Sequence, residues 1–352
     1  METKYRVGIA GAGIGWLHAA AFQELGNWFE ICSVCDINEA RALNLAETCG
    51  AKATTDFQQL LEQKDLDIID ICTPSYLHTQ QTLAALRAGK HVILEKPAAG
   101  SLREVDEMIA ADRSSEKRIL PIFQQRLGVG VQKLKFLQSR GLTGRAYLCV
   151  AETAWRRRPE YYETWHGRWA TELGGPLVTL GIHAHDVAMH VLGPAKRVSA
   201  QIATLVNPIE TEDCAAISMQ MEDGSMASFS VTTGCAREIT RHHFCFSRLS
   251  AESNFEPYGN TSEPWTFSGD TPEIDQEIEQ ALLEFKPLPE GIPGLFYRYY
   301  QAIEKGTELP VTLQDARRSI ELITAIYYSA RTGQTVGLPI ESDHPYYNGW
   351  FE

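Results

Sequence analysis

The sequence predicts a two-domain α/β chain, with a doubly wound parallel Rossmann sheet followed by an α+β domain that carries a large open, mainly antiparallel sheet. Three observations lead there. Short β-rich runs alternate with amphipathic stretches from residue 4 to about 123, and right-handed crossovers turn that alternation into a parallel sheet with helices on both faces. A glycine-dense turn, Gly11-Ala12-Gly13-Ile14-Gly15, directly follows the first run. Beyond residue 140 longer strand-like runs take over, joined in one place by the hairpin signal Glu222-Asp223-Gly224.

In order, the first domain's strand runs are 5–10, 29–35, 66–72, 91–94 and 118–123, and its helical stretches are 14–25, 39–49, 76–88 and 102–111. A helix-like 131–139 follows. The second domain's strands are predicted at 144–153, 197–206, 214–221, 225–233 and 240–250, in antiparallel order. An acidic, Pro-rich connection over 252–292 shows little periodicity, and two helices, 295–304 and 313–331, come after it. The expected divisions are 1–123 for dinucleotide binding, 124–338 for substrate binding and assembly, and 339–352 as a C-terminal tail.

At 352 residues the chain is too long for one ordinary core, and two domains imply a cleft of the kind small molecules favour. Hydrophobic residues make up 44% and charged residues 22%, a soluble composition, and no run approaches the roughly 20 apolar residues of a membrane span. A formal charge of -13 opposes binding of polyanions, so nucleic acid is excluded as a partner. The eight Cys lack framework spacing, which points to reduced thiols and a cytoplasmic protein. Cys32 and Cys35 form a C-x-x-C, but residues three apart on a strand face opposite ways. Lys4 and Arg6 precede an uncharged run, 7–22, that superficially resembles a secretory signal; a strand and glycine turn explain the same residues better.

Gly11, Gly13 and Gly15, with Ile14 between them, let the backbone turn tightly and approach a pyrophosphate, while the helix that follows offers unpaired N–H groups. The G-x-G-x-x-G spacing is not met, because Trp16 holds the sixth position and Gly15 comes one residue early. Context supplies the strength: Asp36 closes the second strand, where a carboxylate accepts hydrogen bonds from the adenosine ribose hydroxyls. Ile37 and Asn38 bring no cation for a 2'-phosphate, so NAD is expected over NADP.

The strand run 91–94 ends in Glu95-Lys96-Pro97, at the edge where open α/β sheets bind ligands. An isolated Lys is usually a solvated surface residue, whereas one flanked by Glu and Pro is a positioned ammonium. Gln124 and Arg126, after the strand run 118–123, are candidates for the pocket wall. The segment from Trp155-Arg156-Arg157-Arg158 to Trp165-His166-Gly167-Arg168-Trp169 is dense in rings and guanidinium groups, which suit a sugar or, alternatively, a basic surface loop at an oligomer contact. His183, His185, Asp186 and His190 invite a metal reading, but no further ligand at helical spacing completes a site, and no metal is expected.

The sequence resembles the Gfo/Idh/MocA family, named for glucose-fructose oxidoreductase and inositol dehydrogenase. Carrying the resemblance are Gly11-Ala12-Gly13-Ile14-Gly15, Thr73-Pro74-Ser75-Tyr76-Leu77-His78, Glu95-Lys96-Pro97 and Gly174-Gly175-Pro176-Leu177-Val178-Thr179-Leu180-Gly181-Ile182-His183, then Pro310-Val311-Thr312. It implies catalysis by Lys96, contacting the substrate hydroxyl and the nicotinamide ribose, with His183 as acid/base. Thr73, Pro74 and His78 would line the dinucleotide, and Glu95 would support its nicotinamide end. Relatives pair the Trp at 165 with an Arg that approaches the nicotinamide; here His166 takes that place. Many relatives carry Asp four residues before the His, where this chain has Thr179, which can orient substrate but cannot hold a charge.

The expected function is NAD-linked hydride transfer to or from a secondary hydroxyl of a sugar, a glycoside (including ketone formation at C3) or a cyclitol. Two other readings share these residues: redox-neutral, NAD-dependent glycoside cleavage, and a non-catalytic sugar- or NAD-sensing regulator. The open sheet needs cover on one face, which predicts a homodimer or homotetramer.

Overall fold

A computed structural model describes residues 3–351 and separates them into two compact units, 3–122 with 291–317 and 123–290 with 318–351. In the first unit the elements run β1 (Tyr5–Ala10), α1 (Gly15–Glu24), β2 (Phe29–Cys35), α2 (Glu39–Cys49), β3 (Lys52–Thr54), α3 (Phe57–Leu61), β4 (Ile68–Ile71), α4 (His78–Arg87), β5 (His91–Leu94), α5 (Leu102–Arg113) and β6 (Ile119–Pro121). The six strands lie in the order β3-β2-β1-β4-β5-β6, every pair parallel. Residues 7–10 of β1 and all of β4 and β5 are buried, because helices cover both faces; that is why these strands are continuous apolar runs with no alternation. Strand order reverses between β1 and β4, the switch point at whose carboxyl edge such sheets bind ligands.

β3 and α3 were not legible as separate elements. Three and five residues long, they are too short to carry a period; α3 is instead marked by its cap, Asp56, which accepts from the Gln58 N–H at 2.8 Å.

The second unit opens with α6 (Val129–Ser139) and β7 (Ala146–Arg156), then three helices, α7 (Trp169–Glu172), α8 (Pro176–Thr179) and α9 (Gly181–Leu192). Strands β8 (Ala195–Ala203), β9 (Cys214–Met221), β10 (Met226–Thr232), β11 (Gly234–Phe246), β12 (Leu249–Glu252) and β13 (Thr266–Gly269) precede α10 (Pro272–Leu283). After α11 (Gly291–Lys305) and α12 (Leu313–Thr332), β14 (Val336–Gly337) completes an eight-stranded sheet ordered β13-β12-β11-β7-β10-β9-β8-β14. On β10, Ala227, Phe229 and Val231 are buried while Met226 and Ser230 are exposed, the alternation of a sheet packed on one side. α9 lies against that packed side, on β7 and β10.

Three features depart from the sequence expectation. One pair, β7 with β10, is parallel, because β7 reaches β10 through the α7–α9 helices and the β8–β9 hairpin instead of a tight turn. The supposedly unpatterned connection contains α10, capped by Thr271, which accepts from the Ile274 N–H, and started by Pro272 with Glu273 and Asp275 in its first turn. Finally, α11 belongs to the first unit although it lies within 124–338: Phe296 stacks on Phe22 at 4.4 Å, and Tyr300 meets Tyr5 and Phe29 edge-on.

The tail is anchored. Trp350 is 0% exposed, donates from its indole N–H to the Leu173 carbonyl at 2.6 Å and stacks on Tyr327. Trp350→Ala is expected to cost about 3–5 kcal/mol of unfolding free energy, measured by the shift of the urea midpoint.

Candidate active site

The glycine turn has a steric reason at each end. Gly11 has φ +102°, and a Cβ there would lie 2.4 Å from the Cys72 carbonyl oxygen; a Cβ on Gly15 would meet the Ile9 side chain at 2.9 Å. Gly15 therefore takes the close helix-to-strand packing role one residue early, leaving Trp16, 59% exposed, to point outward. A Cβ on Gly13 would meet nothing within 4 Å, so that part of the turn opens outward, with Ile14 exposed beside it. No side chain caps α1; the Leu17 N–H donates to the Ile14 carbonyl at 2.9 Å, which leaves the N–H groups ahead of it to meet an anion, and the turn fits a pyrophosphate.

Asp36, only 7% exposed, accepts from the Ala12 N–H at 2.9 Å and the Asn38 N–H at 2.8 Å. It thereby locks the glycine turn to the end of β2. A cation is present after all: Arg41, in the first turn of α2, reaches Asp36 Oδ1 at 3.0 Å. Sequence inspection stopped at residues 37 and 38, whereas a helical turn brings residue 41 back to its own N-terminus.

At the carboxyl edge, Thr73 and Pro74 are half-buried, and the Thr73 hydroxyl donates to Gln81 at 2.6 Å. His78 is buried, with Nδ1 2.7 Å from the Pro97 carbonyl and Nε2 2.8 Å from the Thr73 carbonyl. Its ring lies between the segments leaving β4 and β5, and because burial holds its pKa below the usual imidazole value it donates to one of the two carbonyls. The half-buried Lys96 donates its backbone N–H to Glu95 Oε2 at 2.9 Å. Glu95 Oε1 in turn is 3.1 Å from Nε2 of His18, whose Nδ1 lies 3.0 Å from both oxygens of Asp70 and 3.3 Å from Cys72 Sγ. Burial opposes a charge on His18, yet the Asp70 carboxylate raises its pKa well above the ordinary value. No sequence motif signalled this cluster, since its members are scattered over α1, β4 and β5.

In the second unit His183 lies in the first turn of α9, buried, with its ring edge-on to Phe123. Thr179, at the end of α8, donates its hydroxyl to the Gly175 carbonyl at 3.2 Å. With Tyr161, Tyr162, Glu172 and Thr233 it lines a small concavity. His166 is stacked between Tyr161 and Trp165, at 3.9 and 3.8 Å between centroids, and its Nδ1 is 3.0 Å from Glu172. Glu172, which also accepts from the Gly167 N–H, was not singled out in the sequence; an acid ending a one-turn helix carries no local signal.

The other candidates differ in what holds them. Arg126 is buried and paired through two nitrogens with Asp186, so its charge is neutralised within the fold. Trp155 is buried in β7, its N–H on Thr240 at 2.8 Å, while Arg156 is exposed and its backbone N–H donates to Glu238. Arg157 is caged over the Trp155 and Tyr161 rings, 5.1 Å from each centroid, so part of the aromatic and cationic density packs on itself. Gln124 is half-buried in a short turn, Gln124–Leu127. His185 is neutral, its pKa lowered to about 3 by burial, with Nε2 3.1 Å from Ser319 Oγ.

Comparison with known proteins agrees with this geometry. Residues 5–123 match the oxidoreductase family described as an NAD-binding Rossmann fold, and residues 131–251 match the GFO/IDH/MocA C-terminal domain. The chain belongs to the Gfo/Idh/MocA oxidoreductase family. It is 26% identical to the uncharacterized oxidoreductase YrbE of Bacillus subtilis (strain 168) over 98% of each chain. It is 33% identical to the D-glucoside 3-dehydrogenase of Escherichia coli (strain K12) over 54% of this chain and 55% of that one. Among solved structures, the WlbA dehydrogenase of Chromobacterium violaceum, in complex with NADH and UDP-GlcNAcA, superposes with a TM-score of 0.85 at 27% identity, covering 97% of this chain and 98% of that one. The first domain of this oxidoreductase is thus its NAD-binding domain, and among the described residues no helix is long and apolar enough to cross a membrane.

One further carboxylate shapes the Gly-Gly segment of this Gfo/Idh/MocA chain. Glu212 is fully buried and accepts from the N–H groups of Gly175 and Leu177, at 3.0 and 3.2 Å, and from the Tyr327 hydroxyl at 3.0 Å. Burial pushes its pKa from 4.5 up to about 7, with the donors pulling back. The folded state therefore holds this proton more tightly than the unfolded state. Stability from it is present below about pH 4.5 and is lost as pH rises through 7, on the order of 3 kcal/mol in all. Relative to wild type, Glu212→Gln is expected to flatten the fall in unfolding free energy between pH 5 and 7.5, read from urea titrations across that range.

Proposed function

We propose that this protein is an NAD-dependent dehydrogenase that oxidises a secondary hydroxyl of a pyranose, glycoside or cyclitol, or reduces the corresponding ketone. The observation that carries it is Lys96, held at the carboxyl edge of β5 by Glu95, in the same unit as a glycine turn open enough for a pyrophosphate. Support for the substrate class comes from the relatives, one a D-glucoside 3-dehydrogenase and another a structure holding a sugar nucleotide with NADH.

Gly11, Gly13, Ile14, Gly15 and Asp36 hold NAD, with Thr73 and Pro74 lining it. When bound, NAD supplies the hydride acceptor, or in its reduced form the donor. Lys96 donates to the reacting hydroxyl and stabilises the alkoxide-like charge that builds on oxygen. His183 takes the hydroxyl proton in oxidation and returns it in reduction, acting as general base in one direction and general acid in the other. Thr179 and Trp165 orient the sugar, and Gln124 contributes from its turn. Because Thr179 is no acid, the proton leaves through His183 alone. Assembly as a homodimer or homotetramer through the outer face of the large sheet belongs to the same reading.

The test is a panel of inositols, free hexoses and glycosides, read at the reduced-nicotinamide absorbance with NAD added. Lys96→Ala and His183→Asn are each expected to lower kcat by about 10²–10⁴-fold; near-normal turnover by Lys96→Ala would falsify the assignment.

Cofactor choice follows from Asp36 and Arg41. The carboxylate repels a 2'-phosphate, so kcat/KM is expected to favour NAD over NADP. In Asp36→Ala the carboxylate is gone and Arg41 is left as an uncompensated cation, so the NAD:NADP ratio is expected to fall by about tenfold or more, the equivalent of roughly 1.4 kcal/mol. Parallel saturation curves with the two cofactors measure it.

A further inference from the structure

We infer that His18 and Asp70 are positioning residues: a buried imidazolium held between the Asp70 and Glu95 carboxylates fixes Glu95, and through it the backbone that carries Lys96. This rests on the reading of Lys96 given above.

The argument begins with proton counting. A neutral imidazole has one N–H and one lone pair, but both ring nitrogens of His18 face carboxylate oxygens, Nδ1 at 3.0 Å from Asp70 and Nε2 at 3.1 Å from Glu95. A neutral ring would set a lone pair against one of the anions; a doubly protonated ring donates to both. The site is dry, with the His18 and Asp70 side chains 0% exposed and Glu95 9%. Without the cation, two carboxylates would share that space, an arrangement in which one is driven to take up a proton.

The groups facing His18 are Asp70 and Cys72 from β4 and its end, Glu95 from the end of β5, and the Phe296 ring of α11. Those influencing Glu95 include His18, Cys72, His78 and Lys96. Burial keeps the Cys72 thiol protonated. His18, Asp70 and Cys72 also have the composition of a metal site, yet two ligands of one zinc ion stand roughly 3.3 Å apart given bonds near 2.1 Å, and Nδ1 is closer than that to both Asp70 oxygens, the spacing of a shared hydrogen bond.

The placement links two tasks. Counted from Gly15, His18 falls on the buried face of α1, the helix whose N-terminus meets the cofactor turn, and its ring reaches the strand ends that hold Lys96. Glu95 then accepts the Lys96 N–H and sets where the ammonium starts.

Two measurements test the inference. In the intact protein, ¹⁵N spectra of the histidine side chains, with His18 assigned through His18→Gln, are expected to show both His18 nitrogens protonated at pH 7; a singly protonated ring there overturns the proposal. In kinetics, His18→Gln is expected to lower kcat by about 10- to 100-fold with the Kd for NAD changed less than about threefold. Its acid limb is expected to move to higher pH, because Glu95 without its neighbouring cation takes a proton sooner. The His18→Gln/Asp70→Asn double variant removes the stranded charge and is expected to recover Tm but not kcat. Recovery of kcat together with Tm would show a merely structural role, as would a wild-type kcat and pH profile in His18→Gln; stoichiometric zinc lost in Cys72→Ala would overturn the imidazolium. Failure of the parent reading has a separate signature, turnover surviving in Lys96→Ala.

Discussion

At Gly11 the turn after β1 passes so close to the end of β4 that a Cβ would stand 2.4 Å from the Cys72 carbonyl oxygen, and much of the first unit's chemistry depends on that approach. Because the turn is tight, α1 starts directly over the switch point and presents its uncapped N–H groups outward. Because α1 starts there, His18 falls against Asp70 and Cys72 one turn later. Asp36 closes the arrangement from the other side by accepting the Ala12 N–H. A side chain at residue 11 would push these groups apart together, since all of them hang on one backbone-to-backbone contact.

Buried ionisable groups are used in both units to hold loops. His18 lies between two carboxylates in the first; Arg126 with Asp186, and Glu212 with two backbone N–H groups and a tyrosine, do comparable work in the second. Such pairs contribute little net stability, because desolvation offsets most of the Coulombic gain. Breaking one is expensive, however, and an alternative loop conformation would have to break it. The result is a defined backbone at Glu95-Lys96 and at Gly174-Gly175, where irregular segments would otherwise wander.

The resemblance motifs divide along the same line. Gly11, Gly15 and His78 act on the backbone, by permitting close approach or by holding a carbonyl, and Glu212, outside the motifs, holds the N–H groups of the Gly-Gly segment. Lys96, Thr179 and His183 are the groups proposed above to meet substrate. Thr179 bonds back to the Gly175 carbonyl, which makes it the end of a short helical turn. Arg126 and Trp155, chosen from the sequence for their chemistry, have their polar atoms satisfied inside the fold instead.

By itself the sequence determined what depends on neighbours along the chain. The parallel sheet, its glycine turn, the acid at the end of β2, the Glu-Lys-Pro corner and most helices were legible, because period, capping and turn chemistry are local properties. Even α10 had a local mark in Thr271-Pro272, although flanking acids masked its apolar face. Only the tertiary structure decided what depends on residues far apart in the chain: that α11 completes the first unit, that β7 pairs in parallel with β10, that Trp350 packs beneath Leu173, that Arg41 turns back onto Asp36, and that His18, Asp70 and Glu95 share one dry space. The reason is physical. A buried ionisable group is specified by partners that can come from any element, and no period along the chain encodes which carboxylates a folded histidine will meet.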